Sequence, residues 1–298
     1  MIKTYGALAT AVLFWGSSFV ATKVVLETFS PQAYMFIRFA LASVAFLSIL
    51  WLRGFPRLPR GVHLRLAAIA LLEPGLYFVF ETGGLALTTA PKASLIIATT
   101  PVVVAVLSRL FLGERMGPRV TGGGIVSLVG IAVLVLTDRS VGATLAGVSL
   151  GDLLVLGAVL SAAGYIILAR SLSARLDSVQ ITAYQIIYGT VFFLPLFIAR
   201  PGIPPVDQIA PEAVGALLFL AVFATVAAFL SYNYALSQIP AARAGVFLNA
   251  IPLVTAVVAW PVLGEVLTPL QAAGGLLILG GMTVANSRRK RQVVPVEG

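Results

Sequence analysis

Long, almost uninterrupted apolar stretches alternate along the chain with short polar segments. A helix rises about 1.5 Å per residue, so roughly 20 apolar residues cross a hydrocarbon layer about 30 Å thick. Ten segments fit a membrane crossing, near 5–26, 31–52, 65–87, 92–112, 120–137, 151–170, 179–199, 212–236, 243–263 and 270–287. The shorter ones span with the help of snorkelling flanks or local bilayer thinning. Transmembrane β-strands would show alternating runs of about ten residues, whereas Ala40–Leu52 and Gly122–Leu136 are continuously apolar. The pattern predicts an all-α polytopic membrane protein with ten transmembrane helices. Lys3 followed by an apolar run imitates a secretory signal, but the run continues to Lys23 without a convincing small-residue cleavage site. The first span is therefore expected to be retained.

Composition points to the same solvent. With 59% hydrophobic and 10% charged residues in 298, the chain has too little polar surface to cover a soluble globule of its size. Its net charge of +9 sits in short basic clusters between apolar runs, without a nucleic-acid-binding motif, so nucleic acid is not an expected partner. There is no cysteine, and His63 is the only histidine, so neither a thiolate nor a histidine-cluster metal site is expected, and no cofactor is implied.

The basic residues also orient the chain, because cytoplasmic loops carry the excess of Lys and Arg. With the N-terminus inside, Lys3, Arg53, Arg57, Arg60, Arg65, Arg115, Arg119, Arg170, Arg175, Arg243, Arg288, Arg289, Lys290 and Arg291 face the cytoplasm. Only Lys23, Lys92, Arg139 and Arg200 fall on the other side, while Arg38 and Arg109 lie within spans, Arg109 near enough to the inner end to snorkel. Both termini are expected to be cytoplasmic.

Displacing the sequence against itself by 151 residues brings Pro101 onto Pro252, Gly113-Glu114 onto Gly264-Glu265, Pro118 onto Pro269 and Gly123-Gly124 onto Gly274-Gly275. Gly130 falls on Gly281, and Lys92-Ala93 on Arg243-Ala244. Five helices per copy force the second copy to run upside down. The loops agree: Gly-Glu-Arg-Met-Gly-Pro-Arg at 113–119 is basic, whereas Gly-Glu-Val-Leu-Thr-Pro at 264–269 has no basic residue. Inverted five-helix repeats are how many secondary transporters obtain two related conformations by exchanging the shapes of their halves. A duplicated structural or enzymatic membrane protein is the alternative.

Phe14-Trp15-Gly16-Ser17-Ser18-Phe19-Val20-Ala21-Thr22-Lys23, followed by Ser30-Pro31 and Arg38, resembles the opening of the drug/metabolite transporter superfamily, EamA type. The Pro-to-Gly-Glu stretches at 101–114 and 252–265 resemble the end of each EamA repeat. Within that superfamily the chain is most similar to bacterial exporters of aromatic amino acids, the YddG-like group. The resemblance implies a basket of ten helices around a cavity lined mainly by spans 1, 3, 4, 6, 8 and 9. The expected organisation is a first repeat over 1–137, a non-cytoplasmic connection over 138–150, an inverted second repeat over 151–287 and a basic cytoplasmic tail over 288–298.

Ionisable groups deep in a bilayer are expensive, roughly 2.5–3.5 kcal/mol on insertion scales, and mark candidate sites. Glu73, Tyr77, Phe80 and Glu81 fall on one helical face of span 3. That face joins an aromatic wall, suited to planar apolar cargo, to carboxylates able to hold an ammonium group or exchange a proton. Hydrogen bonding to a neighbouring helix and a kink at Pro74 are the structural alternative. Trp15 opens the small-residue segment Gly16-Ser17-Ser18, suited to close helix packing or to a cavity wall. Thr99, Thr100, Tyr165, Tyr232, Asn233 and Asn249 follow as candidates on the implied lining, each either facing the path or bonding between helices. Lys92 and Arg243 begin equivalent spans at opposite faces, as interfacial anchors or as attractors of a cargo carboxylate. Glu114 and Glu265 are expected to close turns and enter helices, and Arg38 to neutralise an acid or cap backbone carbonyls.

The function these features imply is a secondary transporter, not an enzyme, that exports small amphipathic metabolites by alternating access. Amino acids are the expected cargo, with the aromatic class favoured by the resemblance. It would act as a monomer among the lipids of the bacterial cytoplasmic (inner) membrane. A multidrug, nucleoside or sugar-type transporter of the same fold is the alternative, and a lipid-active membrane enzyme or a channel the remote one. No Gly-x-x-x-x-Gly-Lys-Ser/Thr loop or long polar segment provides for ATP-driven pumping.

Overall fold

Ser30 starts the second long helix: its hydroxyl accepts from the Ala33 backbone N–H, Pro31 occupies the first turn, and Gly54 ends the helix at φ 81°. Side-chain caps of this kind recur at Thr89, Ser149 and Asp177, the last in a reciprocal pair with Gln180. The computed structural model describes residues 2–112, 122–127, 129–130, 133, 149–239, 244, 247–248 and 250–286. Among them the helices are α1 (Ile2–Leu26), α2 (Pro31–Arg53), α3 (Arg60–Leu85), α4 (Ala90–Ile97 continued by Thr100–Leu112), α6 (Leu150–Leu172), α7 (Ser178–Ala199) and α8 (Pro211–Gln238). They continue with α9 (Ile251–Leu263) and α10 (Pro269–Asn286); α5 is described chiefly over its helical residues 122–127. Asn249, Arg243 and Glu114 lie outside the described residues, as does the side chain of Arg109.

Among the described residues six helices, α1, α2, α3, α6, α7 and α8, are long and apolar enough to cross a membrane. Their outer surface carries large apolar side chains such as Leu41, Val44, Leu160, Val191 and Val222, an exterior that needs lipid rather than water. The chain is a multi-pass membrane protein.

The helix contacts repeat themselves when the halves are exchanged. α1 packs on α8 as α6 packs on α3, α1 on α9 as α6 on α4, and α2 on α8 as α7 on α3; α2 and α7 pair with each other. α5 and α10 cross about a pseudo-two-fold point. A methyl group placed on Gly130 would lie 2.7 Å from the Gly274 carbonyl oxygen, and one on Gly281 would lie 2.5 Å from that of Gly123. Ser127 Oγ, at the crossing, donates to the carbonyl of Ile278, its equivalent 151 positions on.

Both α3 and α8 contain a wide turn, over Leu71–Leu76 and Leu220–Ala227. Such turns release backbone carbonyls from the helical ladder, and in lipid these need other donors. Gln185 Nε2 donates to the Glu73 carbonyl (2.8 Å), and Trp15 Nε1 to the Ala224 carbonyl (3.1 Å), again 151 positions apart. In α3 the interruption is sharper: Pro74 carries no N–H and Glu73 is extended at φ −146°, ψ 114°.

Candidate functional site

The break at Glu73 turns its side chain toward the middle of the bundle, where α1, α3, α4, α6 and α8, with Ile251 at the start of α9 and Leu248 just before it, enclose a cavity. About 570 Å³ of space lies between the lining atoms, including the part continuous with the outside. α3 supplies Glu73, Tyr77, Phe78 and Glu81; α1 supplies Trp15, Ser18 and Phe19. Ile97 and Thr100 come from α4, Ala162, Tyr165 and Ile166 from α6, and Phe229 and Tyr232 from α8. The contributing spans are the six that the resemblance implied.

Aromatic rings line the cavity in two groups. The indole of Trp15 lies 5.2 Å from the ring of Phe229 in an edge-on arrangement and 5.0 Å from that of Tyr232. Tyr165 meets Phe229 edge-on at 6.4 Å, and Tyr77 meets Phe78 at 5.0 Å. Edge-on pairs of this kind are the arrangement that the ring quadrupoles favour. The buried Tyr232 hydroxyl makes no hydrogen bond with a described residue.

Two carboxylates interrupt this apolar surface. Glu81 accepts a hydrogen bond from Thr82 Oγ1 at 3.2 Å. None of the described side chains donates to the carboxylate of Glu73, although the residue is only 7% exposed. Behind Phe78, Arg38 is buried against the ring at 4.5 Å, donates from Nε to Thr225 Oγ1 (2.7 Å) and from a terminal nitrogen to the Tyr34 hydroxyl (2.5 Å). Its other terminal nitrogen has no hydrogen-bond partner among the described residues. Arg38 thus bonds side chains and stacks on an aromatic ring, rather than capping carbonyls.

A relay of side chains fixes the wall from behind. The Tyr165 hydroxyl donates to Asn233 Oδ1 (2.7 Å), and Asn233 Nδ2 donates to Thr182 Oγ1 (2.9 Å) and Gln185 Oε1 (3.3 Å). Through Gln185 it ends on the backbone of Glu73.

A family model, EamA-like transporter family, matches residues 2–136 and again 149–287. The chain belongs to the EamA-like transporter family. An uncharacterised transporter of Archaeoglobus fulgidus is 31% identical to it over 288 residues, 96% of this chain and 98% of that protein. A probable terminal-alkyne amino-acid exporter of Streptantibioticus cattleyicolor is also 31% identical, over 96% of this chain and 94% of its own length. A crystal structure at 19% identity superposes with a TM-score of 0.70, covering 95% of this chain and 96% of its own, and bears on the fold alone.

In this EamA-like transporter the sequence candidates divide into two groups. Trp15, Glu73, Tyr77, Glu81, Tyr165 and Tyr232 meet at the cavity. Phe80, Thr99 and Asn233 stand behind its lining. Tyr77, Phe78 and Glu81 centre the lining face of α3, so Phe80 falls on its shoulder, where a methyl group on Gly157 of α6 would sit 3.1 Å away. Thr99 is buried and donates to the Ile96 carbonyl, and Thr100 takes the place in the lining. Asn233 is the hub of the relay. Asn249 lies outside the described residues.

Lys92 is no interfacial anchor: it is fully buried, with Nζ 2.8 Å from Asp152 Oδ2. Phe78, Phe229 and Gln185 carry no sequence signal that separates them from packing residues. The only hint for Asp152 is a carboxylate two residues into an apolar run.

Proposed function

We propose that this EamA-like protein is a secondary transporter exporting small amphipathic metabolites that carry an amino group, amino acids first among them and the aromatic class favoured. The observation that carries this is the Glu73 carboxylate, facing an aromatic-walled cavity built by both halves and holding no hydrogen bond from a described side chain. An ammonium group satisfies the carboxylate and a planar apolar body stacks on Trp15, Tyr77 and Tyr165. The 31% identity to a probable amino-acid exporter favours the same class. The exchange-symmetric helix contacts suit two inverted halves that alternate access around a midplane site, in one monomer of the bacterial cytoplasmic membrane.

A second class, organic cations, is favoured by the pairing of Glu73 and Glu81 in a lining whose described residues include no Lys or Arg. Purified protein in proteoliposomes, challenged with radiolabelled amino acids, nucleosides and cationic drugs, separates these. Saturable flux of aromatic amino acids supports the proposal. Flux of cations alone selects the second class, and flux of nucleosides alone contradicts both.

A further inference from the structure

Two ion pairs bind the halves together where α1 ends and α4 and α6 begin. Lys23 of α1 reaches across to Glu265 in the turn after α9, Nζ to Oε1 at 2.8 Å, with both side chains partly exposed. The second oxygen of Glu265 accepts the backbone N–H of Ala90, the first residue of α4, at 2.8 Å. Deeper in, Lys92 of α4 meets Asp152 of α6 at 2.8 Å, with neither side chain exposed, and Thr88 Oγ1 donates to the other oxygen of Asp152 at 3.4 Å. The sequence expectation for Glu265 was a turn residue; here it joins three elements from both halves.

α1, α4, α6 and α9, which these contacts join, also line the cavity. Lys92 lies five residues before the lining residue Ile97, roughly 7.5 Å along the helix. The glycines pack this end tightly: a methyl group on Gly84 of α3 would lie 2.7 Å from the Gly151 carbonyl, next to Asp152. Ion pairs between the described residues of the two halves occur at this end only.

We infer that Lys23–Glu265 and Lys92–Asp152 form a two-layer latch that closes the cavity on the side where α1 ends. It must part for cargo to pass on that side. Glu265, partly exposed, forms the outer layer and hydrates readily. The buried Lys92–Asp152 pair forms the inner layer, and its ions separate only when water or cargo enters with them. The inference rests on alternating access, the mechanism proposed above, and assigns this structure to the state closed at that end.

The chain has no cysteine, so single reporters need no prior substitution. Ala162→Cys, in the cavity wall, is labelled with a membrane-impermeant maleimide from each side of sealed vesicles, and Glu27→Cys, an exposed residue at the end of α1, identifies the side. Asp152→Asn is expected to speed labelling of the Ala162→Cys reporter from that side by about tenfold or more, because it removes the charge that holds Lys92 of α4 to α6. Glu265→Gln is expected to speed it by a smaller factor, and it keeps the test decidable if Asp152→Asn does not reach the membrane. Unchanged labelling from that side in the variants that fold would overturn the latch. The readout requires no cargo: flux with unchanged labelling removes the latch alone, whereas faster labelling in a protein that moves no amino acid removes only the cargo assignment.

Discussion

Tyr232 and Gln185 stand in opposite hydrogen-bonding situations, which single substitutions separate. The Tyr232 hydroxyl is buried without a hydrogen bond from a described residue, so removing it breaks no internal bond. Tyr232→Phe is therefore expected to leave the unfolding temperature in detergent unchanged. If the hydroxyl serves the cargo, it weakens apparent affinity by about threefold to tenfold, the worth of one hydrogen bond. An unchanged KM in flux assays would take Tyr232 out of the binding set. Gln185 is the opposite case, since both ends of its amide are engaged. Gln185→Leu strands the Glu73 carbonyl in an apolar interior, with an expected loss of about 1–3 kcal/mol in stability. A lowered melting transition together with reduced flux supports the positioning role of Gln185; a transition at the wild-type temperature contradicts it.

Among the elements, the glycine crossings are the tightest joints. Gly84 of α3 and Gly151 of α6 face each other so closely that an added methyl group on either lies 3.0 Å or less from the other's carbonyl oxygen. Gly84→Leu is expected to cost at least about 1–3 kcal/mol, the usual range for overpacking. Gly280→Ala, with open space around it, is expected to cost nothing measurable in the same thermal-shift measurement. At this scale much was legible in the sequence. Apolar runs announced the long helices, and the 151-residue register the matching glycines of α5 and α10, whereas the caps at Ser30 and Asp177 emerged only in the structure. The faces were less so. Periodicity placed Phe80 beside Glu73, Tyr77 and Glu81, but the α3 lining face is centred on Tyr77, Phe78 and Glu81, and Glu73 reaches it from a non-helical residue. Lys92 looked interfacial because its partner, Asp152, comes from the other half, and no local pattern reveals a contact across 60 positions.

For the whole molecule, two similar halves supply the frame and a few dissimilar residues supply the chemistry. The position equivalent to Glu73 is Ala224, and both use their backbone carbonyl in the same way, yet only one carries a carboxylate. In the proposed mechanism the symmetric part would provide two related shapes and the asymmetric part would select the cargo. The basic loops predict both ends in the cytoplasm, so a C-terminal fluorescent reporter is expected to fold on the cytoplasmic face and to be shielded from protease in intact cells. Cleavage of that reporter from outside would reverse the orientation. The most direct test of the central claim is radiolabelled aromatic amino-acid flux in proteoliposomes, compared between the natural chain and Glu73→Gln at equal protein. The proposed mechanism predicts saturable flux that falls at least about tenfold in the variant, the loss of one charge-assisted contact of roughly 1.5–3 kcal/mol. Equal flux in the two proteins, or none above empty vesicles for the natural chain, would contradict it.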